Sequence, residues 1–117
     1  HIEVSESIHF ENASAVIRPD SYHVVDGVAV IIKDHPELGQ IRVEGHTDHN
    51  GSREMNERLS QLRAEAVVQR LVEQGVPRER LQAVGFGFDR AIANNDSTEG
   101  RAQNRRVEFV IVDRVGG

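Results

Sequence analysis

From Ser52 to Gln74 the chain carries neither glycine nor proline, while Asn50-Gly51 precedes that stretch and Gly75-Val76-Pro77 follows it. Turn, helix interior and stop are spelled out in order. Ser52 is placed to act as N-cap, Glu54 suits the positive end of the helix dipole, and Gly75 suits the stop. A helix of this length spans roughly 30 Å, so the rest of the chain has to cover one of its sides. Gln40 to His46 alternates, with Ile41 and Val43 against Arg42, Glu44 and His46, which predicts a half-exposed strand. Leu81 to Gly85 reads as another short strand, and Asn104 to Val112 alternates again, with Val107, Phe109 and Ile111 opposite Arg106, Glu108, Val110 and Val112. Upstream, Ile8-His9-Phe10 reads as a strand and Glu11 to Arg18 as a loop. Pro19 suits the first turn of a helix in which Tyr22, Val25, Ala29 and Ile32 recur until His35-Pro36. Asp89 to Gln103, rich in Asn, Asp, Ser, Thr and Gly, reads as an ordered loop or a broken helical turn.

The resulting order, β-α-β-α-β-β, predicts an α+β fold: a two-layer sandwich in which a mixed four-stranded sheet carries its helices on one face. With 117 residues the chain suits one domain, 1–117, with a core over about 8–112. It shows neither a leader nor a linker, which reads as one domain excised from a longer protein.

Several function classes are disfavoured. Fourteen Lys and Arg against nineteen Asp and Glu give a net charge of −5, which repels a nucleic-acid backbone. The basic cluster Arg101, Arg105 and Arg106 has no interleaved aromatics to stack bases. Of that cluster, Arg105 and Arg106 fall on opposite faces of the last strand, one to anchor a loop and the other to solvate the open face. The absence of cysteine removes disulfides, thiolate metal sites and cysteine nucleophiles. The longest apolar run, Val28 to Ile32, is far below the roughly 20 residues that span a bilayer. No Gly-x-Ser-x-Gly elbow occurs, and Gly85-x-Gly87 lacks the third glycine of a dinucleotide fingerprint, so no enzyme is predicted. His46, Asp48 and His49 offer metal-ligating types at unsupportive spacing, so no metal site is assigned: His46 orients its loop and His49 is exposed.

On a helical wheel of the long helix, Met55, Leu59, Leu62 and Ala66 form an apolar arc extended by Val67 and Leu71. Asn56, Arg63 and Arg70 fall inside it, so the guanidinium of Arg63 needs a partner. Asp48, in the loop feeding the helix N-terminus, is the natural one. On charge alone, a tie between loop and helix and a ligand site are equally good readings.

Taken together, Gly45-His46-Thr47-Asp48, Asn56, Leu59-Ser60, Arg63-Ala64, Gly75-Val76, Gly85-Phe86-Gly87, Asn94, Gly100-Arg101-Ala102 and Asn104-Arg105-Arg106-Val107-Glu108 resemble the signature of OmpA-like domains, from about Ile8 to Val112. The resemblance implies a periplasmic, soluble, cofactor-free domain of an outer-membrane or envelope protein, with peptidoglycan as partner. It implies a cleft that grips the diaminopimelate residue of the stem peptide without chemistry, Asp48 and Arg63 matching the family's acid and base. Asn56 matches a position near the ligand, Leu59 an apolar wall, and Asn12, Ala13 and Ser14 a loop giving backbone donors and a lid edge. Where the family usually has proline this chain has Ala91, which predicts a more mobile loop there. The alternative is a protein-interaction or oligomerisation module that keeps the fold without the ligand. Parent type and oligomeric state stay open.

Overall fold

Pro19 opens one 3-10 turn, Pro19–Ser21, that runs directly into α1, Tyr22–Asp34, in the computed structural model, which describes residues 7–113. Val24, Val25, Val28, Ala29 and Ile32 form the buried face of α1. The helix stops at His35 because the residue before Pro36 is driven out of the helical region, here to φ −129° and ψ 68°. The strands are β1 (Gln40–His46), β2 (Leu81–Gly85) and β3 (Arg106–Asp113), in the order β2-β1-β3. The pair β1–β2 is parallel and β1–β3 antiparallel, so the sheet is mixed as predicted.

The sheet has three strands among the described residues, not the four expected. Phe10 makes only an isolated bridge to Ile17. Glu11 N–H donates to Val16 O at 2.8 Å and Arg18 N–H to His9 O at 2.9 Å, so the chain folds back on itself and satisfies its backbone locally. Ala13, at φ 53°, takes the tight corner of that turn. The expected broken turn near the C-terminus contains a short helix, α3 (Thr98–Asn104), capped by Ser97 Oγ accepting from Gly100 N–H.

α2 occupies Arg53–Glu73 with Ser52 Oγ accepting from Met55 N–H, as expected. It closes with Gly75 at φ 101°, Gly75 N–H donating to Val72 O and Val76 N–H to Leu71 O. This paired stop needs a left-handed residue, and it buries Val76 beside Leu71. The buried face of α2 differs from the wheel reading: Asn56, Ser60, Ala64, Val67, Val68 and Leu71 are buried, whereas Met55 is 67% and Leu62 40% exposed.

The cause lies in the sheet. Gly45 of β1 and Gly85 of β2 are register partners. A Cβ at Gly45 would lie 2.2 Å from Ser60 O, and one at Gly85 2.2 Å from Gln61 N. Helix backbone thus rests on strand backbone, leaving room only for small or hydrogen-bonding side chains beneath it. Ser60 Oγ accepts from Gly87 N–H at 2.9 Å, and Gln61 accepts from Gly85 N–H while donating to Ala83 O. The apolar core, Val25, Val28, Ile32, Ile41, Val43, Val67, Leu71 and Phe109, fills the space further along. An alanine at Gly45 has no side chain to push aside, only backbone. Gly45→Ala is expected to lower stability by about 1–3 kcal/mol or more, read as a lower denaturation midpoint. Ala64→Gly on the same helix face should cost about 1 kcal/mol, chiefly through propensity.

Candidate functional site

The strand β1 delivers Gly45-His46-Thr47-Asp48 to the N-terminal side of α2. Thr47 N–H donates to Gly87 O and Phe86 N–H to Gly45 O, which staple the segment to the exit of β2. Asp48 Oδ1 accepts from Asn50 N–H at 3.0 Å, a local turn typical of aspartate. Asn56 Nδ2 donates to both Asn50 O and Ser52 O, closing the loop onto the first turn of the helix. Asp48 is thereby fixed and buried.

Asp48 does not pair with Arg63. Its Oδ2 accepts from Arg105 Nη1 at 2.5 Å, the aspartate side chain being 8% and the arginine 46% exposed. Arg63 Nε donates to Ser14 O at 2.8 Å, and its guanidinium carbon lies 4.8 Å from the centre of the Phe10 ring. Among the described residues no carboxylate lies within ion-pair distance of Arg63. Burial pushes its guanidinium below the ordinary range, nearby Arg105 adds to this, and Asp48 opposes it. The wheel was right that Arg63 is taken from water, and the turn at Phe10–Ser14 is what covers it.

These groups border a cleft of about 410 Å³ whose walls include Phe10, Asn12, Ala13, Arg63, Gln103 and Arg105. Asn12 and Ala13 line it as expected, and the loop contributes the Ser14 carbonyl to Arg63. Asp48, Asn56, Leu59 and Ser14 are not on its wall. Asp48 sits behind Arg105, Asn56 organises the loop, and Leu59 is half-buried on α2. Two contributors were missed in the sequence. Phe10 was read only as a strand residue, and Arg105 only as one of two loop-anchoring choices.

The expected solvated face of the sheet is instead a closed charge network. Glu44 stands directly across from Glu108 in the β1–β3 register, a like-charge pair that costs energy unless compensated. Arg42 Nε holds Glu44 at 2.7 Å, and Arg106 Nε holds Glu108 at 2.6 Å. Arg106 also donates to Asn104 O and Arg90 O, so it is pinned rather than solvated. His46, buried and stacked on Phe86, puts Nε2 3.3 Å from Glu44 and 3.6 Å from Glu108. Glu44, His46 and Glu108 are metal-ligating types brought together, yet each carboxylate already has its own guanidinium and the charge balances without an ion. His49 is exposed and apart from them. Burial foremost, then Arg106, holds the His46 imidazole below its usual pKa, while Glu108 and Glu44 pull the other way.

At position 91, where the loop was expected to loosen, the following backbone is held from beneath. The buried Asn104 Oδ1 accepts from Ile92 and Ala93 N–H, and its Nδ2 donates to Ala93 O and Asn95 Oδ1.

The OmpA family pattern matches residues 9–105. The probable lipoprotein YiaD of Escherichia coli is 37% identical over 110 residues, 94% of this chain and 50% of its own length. The peptidoglycan-binding protein ArfA of Mycobacterium tuberculosis is 39% identical over 104 residues, 89% of this chain and 32% of its own. The chain therefore spans half or less of these relatives. The crystal structure of the C-terminal domain of Helicobacter pylori MotB is similar at a TM-score of 0.83 and 32% identity, over 94% of this chain and 86% of that one.

The His46 position has a pH consequence of definite sign. Because the folded pKa is depressed, the unfolded chain takes up the proton first as pH falls, so stability is full above about 6.5 and declines below it. Thermal melts between about pH 7.5 and pH 5 are expected to show a flatter dependence for His46→Asn than for the wild type.

Proposed function

Because the chain belongs to the OmpA family, we propose that its cleft binds peptidoglycan non-covalently, through the diaminopimelate residue of the stem peptide. One observation carries the reading: a half-buried guanidinium, Arg63, on a cleft wall without a carboxylate partner among the described residues, near a buried and rigidly held carboxylate, Asp48. The free end of diaminopimelate is a zwitterion. Its carboxylate suits the two terminal nitrogens of Arg63, since Nε is already committed to Ser14, and its ammonium suits Asp48. Asn12 and Ala13 would edge the bound group and Phe10 would back the guanidinium. Asn56 would act by holding the Asp48 loop, and Leu59 by packing beside it. The name of ArfA supports the ligand class. In this reading the protein is a periplasmic anchor to the cell wall, part of an outer-membrane or envelope protein, and it needs neither catalysis nor cofactor.

Retention on purified sacculi tests the reading. Asp48→Ala and Arg63→Ala should each abolish retention while the folded circular-dichroism spectrum persists; unfolding of both would favour a purely structural role. Wild type that folds yet is not retained would mark a protein-interaction module that has lost the ligand. In a titration with muropeptides, a lysine-containing stem leaves Arg63 without its carboxylate. Affinity is expected to fall by about tenfold or more, the equivalent of roughly 1–3 kcal/mol.

A further inference from the structure

The cleft wall carries three guanidiniums, Arg63, Arg105 and Arg106, and the last of these is already paired with Glu108. Arg105 lies on the wall, whereas the Asp48 it holds does not reach the wall and is nearly inaccessible. A cation arriving in the cleft meets Arg105 before it can meet Asp48. The positions of the two arginines also carry an electrostatic cost, because Arg105 acts against the charge on Arg63.

We propose that Arg105 is an exchangeable counter-ion: it caps Asp48 in the empty cleft, yields it to the ligand's ammonium, and turns to a second carboxylate of the same peptide. The proposal rests on the peptidoglycan reading above and adds a requirement on the ligand's charge. With Arg106 neutralised by Glu108, an ammonium on Asp48 leaves that ammonium, Arg63 and Arg105 against one aspartate and one ligand carboxylate, one positive charge in excess. A second carboxylate next to the diaminopimelate residue removes the excess, and the α-carboxylate of the neighbouring glutamyl residue is such a group. Arg106 cannot take this part, as it is committed to Glu108, Asn104 O and Arg90 O. The Arg105 side chain is free to move: about half of it is exposed, and the one hydrogen bond it makes among the described residues is to Asp48. The exchange swaps one charge-assisted contact for another, so it controls selectivity without a large change in the protein.

Two stem peptides decide the matter, both with intact diaminopimelate, one with the glutamyl α-carboxylate free and the other with it amidated. Calorimetric titration of the wild type should show the free acid binding about tenfold more tightly, the worth of one charge-assisted hydrogen bond. Arg105→Gln should show no preference beyond about twofold. It should also bind the amidated peptide about two- to fivefold more tightly than the wild type does, because no ion pair between Arg105 and Asp48 has to be broken first. That crossing of affinities is not produced by a residue that merely supports the loop. An unchanged preference in Arg105→Gln, or weaker binding of the amidated peptide by it, overturns the proposal while leaving the peptidoglycan reading intact. Binding of neither peptide by wild type overturns both. Should Arg105→Gln not fold, Arg105→Met serves: it keeps an apolar stem but removes the charge, and a preference still at tenfold would overturn the proposal.

Discussion

The contact of α2 with Gly45 and Gly85 is the constraint from which the remaining geometry follows. It is backbone against backbone, so it fixes the height of the helix over the sheet more tightly than interlocking side chains would. Ser60, at the contact, also accepts from Gly87 N–H, while Gly87 O accepts from Thr47 N–H. Helix, β1 exit and β2 exit thereby become one unit. Arg63 follows Ser60 by three residues and Asp48 follows Gly45 by three, so the separation of base and acid is set by a junction that neither of them touches. Precision in a binding site comes from such supporting contacts more than from the ligating groups.

The charge network between β1 and β3 also shapes the cleft, which His46 and Arg106 line. Pairing β1 with β3 places Glu44 against Glu108, and the register is tolerable only because Arg42, Arg106 and a neutral His46 surround the two carboxylates. Arg106 is held at the start of β3 by this arrangement, and the residue before it, Arg105, is consequently delivered to Asp48. A charge network that borders the cleft through His46 and Arg106 thus also positions Arg105. The buried Nδ1 of His46 belongs to the same arrangement: the ring supplies a donor to Glu44 through Nε2 and leaves its other nitrogen without a partner among the described residues, a burial cost that the compensation of two like charges offsets.

Much of this was legible in the sequence, for identifiable reasons. The bounds of α2 followed from Ser52, Gly75 and Pro77, because capping is local chemistry. The mixed α+β architecture followed from alternation, and the family from its motifs. The buried face of α2 was misread because a wheel assumes that burial means apolar side chains. Here the underlying surface is glycine backbone, so Ser60 goes beneath while Met55 and Leu62 face out. The strand at Ile8-His9-Phe10 was misread because β propensity cannot tell a sheet strand from a turn that pairs with itself, as Phe10 and Ile17 do. The partner of Asp48 was assigned to the wrong arginine because Arg63 and Arg105 are equally charged. Only the tertiary structure shows which one reaches it.

The two halves of the cleft are built with different rigidity. Asp48 is held by Asn50 N–H, and the loop around it by Asn56 and Thr47, all hydrogen bonds that persist whichever cation occupies its free oxygen. Arg63 is held by one carbonyl and one ring, both on a turn whose corner, Ala13, has a left-handed backbone that costs a non-glycine residue roughly 1 kcal/mol. A structure stabilised elsewhere retains such a residue when the corner brings something the straight chain would not, here Phe10 and Ser14 O against the guanidinium. The turn orients Arg63 through Nε and leaves its terminal nitrogens without a hydrogen bond to any described residue. Those are the atoms that grip a carboxylate two-pronged. An anion can therefore dock on Arg63 without displacing the contact that aims it, whereas a cation can dock on Asp48 only by displacing Arg105.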